Sequence, residues 1–205
     1  MNKIKLITVL LTAFMLFLIL TKESREKLSY IELKSDSKIL AFGDSITYGY
    51  GVAKEDSYPS QLQKKTGIRV INEGISGEES SEGLQRLPKL LESNFDLVIL
   101  CHGGNDIIRK LSLEKLKNNL IEMIIAIEAS GAKVLLVGVP DFGILGFKTH
   151  ALYREVAKET GVLFEEDVLS AVESDKRLKI DYIHPNEKGY EIMVDAFMKY
   201  LKIVR

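Results

Sequence analysis

Of the 205 residues, one is cysteine and none is tryptophan. The single thiol, Cys101, excludes an intrachain disulfide framework and any zinc site built from several thiolates. Without tryptophan, and with 8 Phe and 8 Tyr, nothing marks a base-stacking platform. Charge of one sign is missing too. The 28 basic and 29 acidic side chains leave a net charge of −1, so no general positive field draws in nucleic acid. There is no internal repeat, no low-complexity tract, no glycine-rich phosphate loop followed by lysine and no G-x-S-x-G elbow. What is there is 46% hydrophobic and 28% charged residues. That is too apolar for a disordered chain, and the length suits one domain. A compact enzyme or small-molecule binder is the class that remains.

The amino terminus differs from the rest. Lys3 and Lys5 precede an apolar run from Leu6 to Leu20, broken only by Thr8 and Thr12 and followed at once by charged sequence. A basic start, an apolar middle and a polar exit form the layout of an export signal. As a helix, residues 4–21 would span roughly 27 Å, just short of a ~30 Å hydrocarbon core. No small-residue cleavage site follows, so residues 1–22 are read as a signal peptide or an uncleaved membrane anchor. The lysines would hold that end in the cytoplasm and place the body outside, in the periplasm or an equivalent compartment, as the positive-inside bias requires. The alternative, a buried amphipathic helix, needs a polar face that the run lacks. Residues 23–37 are expected to be a tether and residues 38–205 the folded body.

Within the body, short apolar runs alternate with helical patterns. Lys38–Phe42, Arg69–Asn72, Asp96–Cys101, Lys133–Val139 and Val162–Phe164 are strand candidates, the third and fourth apolar enough to be covered on both faces. Helical periodicity covers Tyr58–Lys65, Ser81–Glu92, Leu113–Ala129, Thr149–Thr160 and Glu187–Ile203, with Pro88 expected to break the second. This alternation predicts βαβ units, a parallel sheet and helices on both faces.

In such sheets ligands collect where strands end and the chain turns into a helix. Four polar clusters fall there: Gly43-Asp44-Ser45-Ile46-Thr47, Glu73-Gly74-Ile75-Ser76-Gly77-Glu78, Gly103-Gly104-Asn105-Asp106, and Asp181-Tyr182-Ile183-His184-Pro185. Either Asp44 or Ser45 caps the next helix, or Ser45 Oγ is a nucleophile at a turn whose free N–H groups face a developing oxyanion. A serine needs a base, and the chain has three histidines. His184 is the best placed, because Asp181 stands three residues before it and can orient one ring nitrogen. The competing role for Asp181 or Asn186 is to cap the last helix. His102, at the end of an apolar strand, reads as a packed histidine and His150 as an exposed one. Gly77 offers an unhindered backbone N–H and Asn105 a side-chain amide. With the Ser45 N–H they would form an oxyanion hole, unless Gly103-Gly104-Asn105-Asp106 is simply a turn. Cys101 reads as a buried, inert thiol. Thr47-Tyr48-Gly49-Tyr50-Gly51 resembles an ion-filter segment only superficially, and Tyr48 to Gly51 are expected at the pocket edge.

Together these blocks resemble the GDSL esterases, or SGNH hydrolases: Ser45 in GDSIT, Gly77 in ISGEES, Asn105 in GGND, and His184 with Asp181 in DYIHP. The stretch NEGISGEESSEGLQRLPKLLES followed by GGND is most similar to the bacterial thioesterase I, lysophospholipase and arylesterase group. The similarity spans residues 38–203. It departs at Gly74 and at Ile107-Ile108-Arg109-Lys110, which replaces a more glycine-rich loop. The resemblance implies a flavodoxin-like three-layer α/β/α sandwich with strand order 2-1-3-4-5. It also implies an exported serine hydrolase using no metal or other cofactor. Its substrates would be acyl esters or thioesters, including lysophospholipids, and it would act as a monomer without nucleic-acid partners. A carbohydrate or cell-wall O-acetyl esterase is the second expectation, and a non-catalytic binding module on the same fold the third.

Overall fold

The computed structural model describes residues 30–142 and 147–204. The expected signal or anchor, residues 1–22, and residues 23–29 of the expected tether lie outside the described residues. Among the described residues no helix is long and apolar enough to cross a membrane.

The strands are β1 (Ile31–Lys34), β2 (Lys38–Gly43), β3 (Arg69–Gly74), β4 (Leu97–Cys101), β5 (Lys133–Val137), β6 (Pro140–Asp141), β7 (Lys148–Thr149), β8 (Leu163–Glu165) and β9 (Leu201–Val204). The helices are α1 (Ser45–Tyr48), α2 (Tyr58–Thr66), α3 (Ser80–Leu91), α4 (Gly104–Ile108), α5 (Leu113–Ala129), α6 (Ala151–Thr160), α7 (Val168–Ser174) and α8 (Glu187–Met198). Five strands form a parallel sheet in the order β3-β2-β4-β5-β8. Taken in chain order these are strands 2-1-3-4-5, the expected topology. β2 and β4 are almost wholly buried, as residues covered on both faces must be. The chain reverses its direction of winding between β3 and β4, on either side of β2, and ligand crevices form at that switch.

Three elements depart from expectation. Residues 23–37 are not all tether: β1 pairs in parallel with β9 in a separate two-stranded ribbon. Ile31 and Leu33 are buried while Glu32 and Lys34 are exposed, an alternation of period two. Lys202 bonds to Glu32 across the pair at 2.7 Å. The last helix accordingly ends at Met198 rather than Ile203. The apolar residues after it meet the β-period of their partner, which overrides a helical reading of the same pattern. Pro88 does not break α3. It lies on the exposed side three residues from the helix end, where only one backbone hydrogen bond of the last turns is given up.

The carboxyl ends of β2, β3 and β4 approach so closely that side chains are excluded. A Cβ on Gly43 would stand 1.9 Å from the Cys101 carbonyl oxygen and 2.4 Å from Thr47 Oγ1. One on Gly74 would stand 2.0 Å from the Tyr48 backbone nitrogen. Gly43→Ala is therefore expected to cost about 3 kcal/mol through overpacking, read as a lower urea midpoint. An unchanged midpoint would mean that β2 and β4 part readily enough to admit a methyl group.

Candidate active site

Ser45 opens α1 directly after β2. Asp44 is the N-cap, its carboxylate accepting the Ile46 N–H at 3.2 Å. The cap is thus supplied by the neighbour, and the Ser45 side chain stays available. Its Oγ lies 3.0 Å from His184 Nε2. His184 Nδ1 lies 2.7 Å from Asp181 Oδ2. Asp181 Oδ1 also accepts the backbone N–H groups of Ile183 and His184 at 2.9 and 2.8 Å, which locks the turn carrying both side chains. Asn186, not Asp181, caps α8 by accepting the Gly189 N–H at 3.0 Å. Burial pulls the Asp181 pKa upward, but the imidazole and the two N–H groups outweigh it and hold the carboxyl below its ordinary value. An ionised Asp181 on Nδ1 favours the tautomer in which Nε2 accepts the serine proton. Tyr50 packs its ring 4.4 Å from the imidazole, so the Tyr48–Gly51 segment does edge the site.

Asn105, in the first turn of α4, donates through Nδ2 to the Glu78 carbonyl at 2.9 Å. Its amide has a second N–H, and Asn105 lines one crevice together with Ser45. Gly77 sits in the intervening loop at φ +83°, a conformation that favours glycine. The loop is pinned at both ends. Ile75 N–H donates to the Gly43 carbonyl at 3.1 Å, and the Glu78 carbonyl is the group that Asn105 holds. All five residues singled out in the sequence therefore belong to one end of the sheet. Ser45, His184 and Asp181 are in direct contact, Asn105 shares the Ser45 crevice, and Gly77 lies in the loop bound between Gly43 and Asn105.

A second set of polar residues, to which the sequence assigned no role in the site, supports this loop. Glu78, nearly buried, binds Arg86 Nε at 2.5 Å, Arg86 Nη2 at 2.7 Å and His102 Nε2 at 3.0 Å. Desolvation raises its pKa, and His102 and Arg86 more than reverse that, leaving it lowered. Arg86 also donates to the Glu73 carbonyl at 2.8 Å and covers the Phe42 ring. Asp106 accepts the Ser80 N–H at 2.9 Å and the Ser80 hydroxyl at 2.6 Å, tying α4 to the start of α3. His102 is fully buried, as expected of a packed histidine, and His150 is the half-buried cap of α6. Cys101 is buried, and desolvation first, with Asp44 and Glu173 nearby, raises its thiol pKa well above the ordinary value. Among the described residues no cluster of three or more His, Cys, Asp or Glu side chains is arranged to hold a metal ion.

The crevice at Ser45 is small, about 20 Å³, and its walls include Val139, Phe142, Leu169, Ile183 and Glu173. It adjoins an open groove of about 780 Å³ between Ile107, Ile108, Phe142, Tyr182 and Ile183, with His184 on its edge.

The sequence profile of the GDSL-like lipase/acylhydrolase family matches residues 41–192, which contain all of these groups. The chain belongs to this family. An arylesterase of Vibrio mimicus is 36% identical over 119 residues, 54% of this chain and 60% of that protein. The chain thus matches less than two thirds of the length of that relative. The thioesterase 1/protease 1/lysophospholipase L1 of Escherichia coli K12 is 29% identical over 175 residues, 80% of this chain and 83% of that enzyme. Among solved structures, the esterase EstA from Pseudoalteromonas sp., in a form inhibited by monoethylphosphonate, superposes with a TM-score of 0.72. It has 27% identity and covers 80% of this chain and 96% of its own. These are likenesses to a family whose fold the chain shares.

Glu173 on α7 is 1% exposed, and both of its carboxyl oxygens lack a hydrogen-bond partner among the described residues. Burial pushes its pKa from 4.5 to about 9; Lys179 opposes the shift, and Asp44 and Asp181 reinforce it. The folded chain therefore keeps a proton that the unfolded chain releases between about pH 4.5 and 9, and stability falls as pH rises through that window. Glu173→Gln removes this linkage. Its advantage over wild type in thermal denaturation is expected to grow from pH 5 to pH 8, by at most about 1.4 kcal/mol per pH unit. Parallel pH curves for the two proteins would contradict the assignment.

Proposed function

We propose that this protein is a serine hydrolase that cleaves carboxylic esters and thioesters of acyl groups through an acyl-enzyme. The observation that carries the reading is the imidazole of His184 bonded to Ser45 Oγ on one nitrogen and to Asp181 on the other, at 3.0 and 2.7 Å. In this reading Ser45 Oγ attacks the acyl carbonyl as its proton passes to His184 Nε2, and Asp181 stabilises the imidazolium. The N–H groups of Ser45 and Gly77 and the free N–H of the Asn105 amide receive the oxyanion. His184 then protonates the departing alcohol or thiol. Water, activated by the same imidazole, releases the acid and restores Ser45.

Names borne by relatives support the substrate class: arylesterase for the Vibrio protein, and thioesterase and lysophospholipase for the Escherichia coli one. The phosphonate inhibition of the Pseudoalteromonas esterase supports an activated serine in this family. The groove is walled by Ile107, Ile108, Phe142, Tyr182 and Ile183, with Lys110, Asp141 and Asp181 also on it, a lining that suits an ester bearing an apolar or aryl group.

Ser45→Ala is expected to abolish hydrolysis of p-nitrophenyl butyrate and labelling by a fluorophosphonate probe while the circular dichroism melt stays cooperative. Retained hydrolysis would eliminate Ser45 as the nucleophile. Asn105→Ala is expected to lower kcat by about 10²–10³ with little change in KM, the loss typical of one oxyanion donor. A raised KM at constant kcat would remove Asn105 from the hole.

A further inference from the structure

Most of the buried polar groups around the site have a partner that explains them. Asp44 caps α1 and also takes a backbone hydrogen bond from Gly104. Glu78 is held by Arg86 and His102. Glu173 is different. It occupies the buried face of α7 among Val168, Leu169 and Val172, a position that leucine would fill without a polar cost. The nearby Lys179 ammonium does not pair with its carboxyl, but donates instead to the backbone oxygens of Glu173 and Tyr182, at 2.6 and 2.8 Å. The charged groups that act on it besides Lys179, Asp44 and Asp181, are both acids, which oppose its ionisation and leave it a neutral acid with one donor and free acceptor capacity.

The crevice that Glu173 lines is the one that begins at Ser45 and Asn105. At about 20 Å³, against the 10–15 Å³ that one water-sized centre needs, it has room for about one or two heavy atoms beyond its mouth. It cannot take a long chain. The open groove on the other side of Ile108, Phe142 and Ile183 can take a bulky apolar group.

We propose that Glu173 is the polar end of an acyl subsite: the crevice takes a short acyl group, the Glu173 carboxyl hydrogen-bonds a hydroxyl or carbonyl carried on that group, and the groove takes the leaving group. This rests on Ser45 being the nucleophile and adds what it acylates with. The preferred substrates are esters of small hydroxy or oxo acids with an apolar alcohol or thiol. A buried polar group left unpaired penalises an acyl group that lacks the matching oxygen, and it is by this penalty that such sites discriminate.

The test measures kcat/KM on p-nitrophenyl esters of acetate and glycolate and of propionate and lactate, for wild type, Glu173→Leu and Glu173→Gln. Wild type is expected to favour the hydroxylated member of at least one pair by tenfold or more, Glu173→Leu to reduce that ratio at least tenfold, and Glu173→Gln to keep it within about threefold, since the amide still donates and accepts. An equal ratio in wild type and a cooperatively folded Glu173→Leu would overturn the proposal, most plainly if the variant melts at a higher temperature. So would a wild type that prefers the plain ester in both pairs, a result that needs no variant to fold. Fluorophosphonate labelling of each protein separates the two ideas: labelling with no hydroxyl preference removes the subsite alone, whereas an unlabelled wild type removes the nucleophile and the subsite with it.

Discussion

Parallel strands bring all their carboxyl ends to one edge of the sheet, and here that edge is drawn unusually tight. Gly43 and Gly74 let β2, β3, α1 and the end of β4 approach to distances no side chain would permit. The consequence is positional. The backbone of the Ser45 turn sits directly against the ends of β3 and β4, so the loops leaving those strands, with Gly77 and Asn105, have nowhere to be except beside the serine. The His184 turn then arrives from the far end of the chain, delivered by α8, which packs against α2. Everything chemical in the molecule depends on that close contact between bare backbones.

Around this edge the protein uses polar groups in two opposite ways. Glu78, Arg86 and His102 form a bonded set that stiffens the loop between β3 and α3, and low dielectric strengthens such a set when its members are partnered. Asp44 and Glu173 face the crevice with burial raising both pKa values. Only the first of them is hydrogen-bonded to the fold. One acid therefore builds the site and the other adds chemical character to its floor, a division that charge and composition alone do not reveal.

Much of the sheet was legible because its signals are local. Buried parallel strands read as apolar runs, and Leu113–Ala129 is bounded in the structure as its periodicity predicts. The competing roles of Ser45 and Asp181 could not be separated in the same way, since capping and catalysis ask for the same residue types at the same places. The structure separates them by giving the caps to Asp44 and Asn186. β1 and β9 escaped notice because four-residue strands carry too little pattern to outweigh a charged flank on one side and a helical continuation on the other. Each is a strand only because the other exists.

By itself, then, the amino-acid order determined the alternation of strands and helices and the turn chemistry at the strand ends, and it narrowed the nucleophile, base, acid and oxyanion donors proposed here to a few candidates. These are properties of neighbouring residues, set by periodicity, backbone freedom and side-chain chemistry. Only the tertiary structure decided that residues 31–34 and 201–204 pair, that Glu78 is neutralised by Arg86 from the next helix, and that Glu173 lines a crevice shared with Ser45. Those outcomes depend on desolvation and on partners far apart along the chain, and a group's solvation is settled by what packs over it.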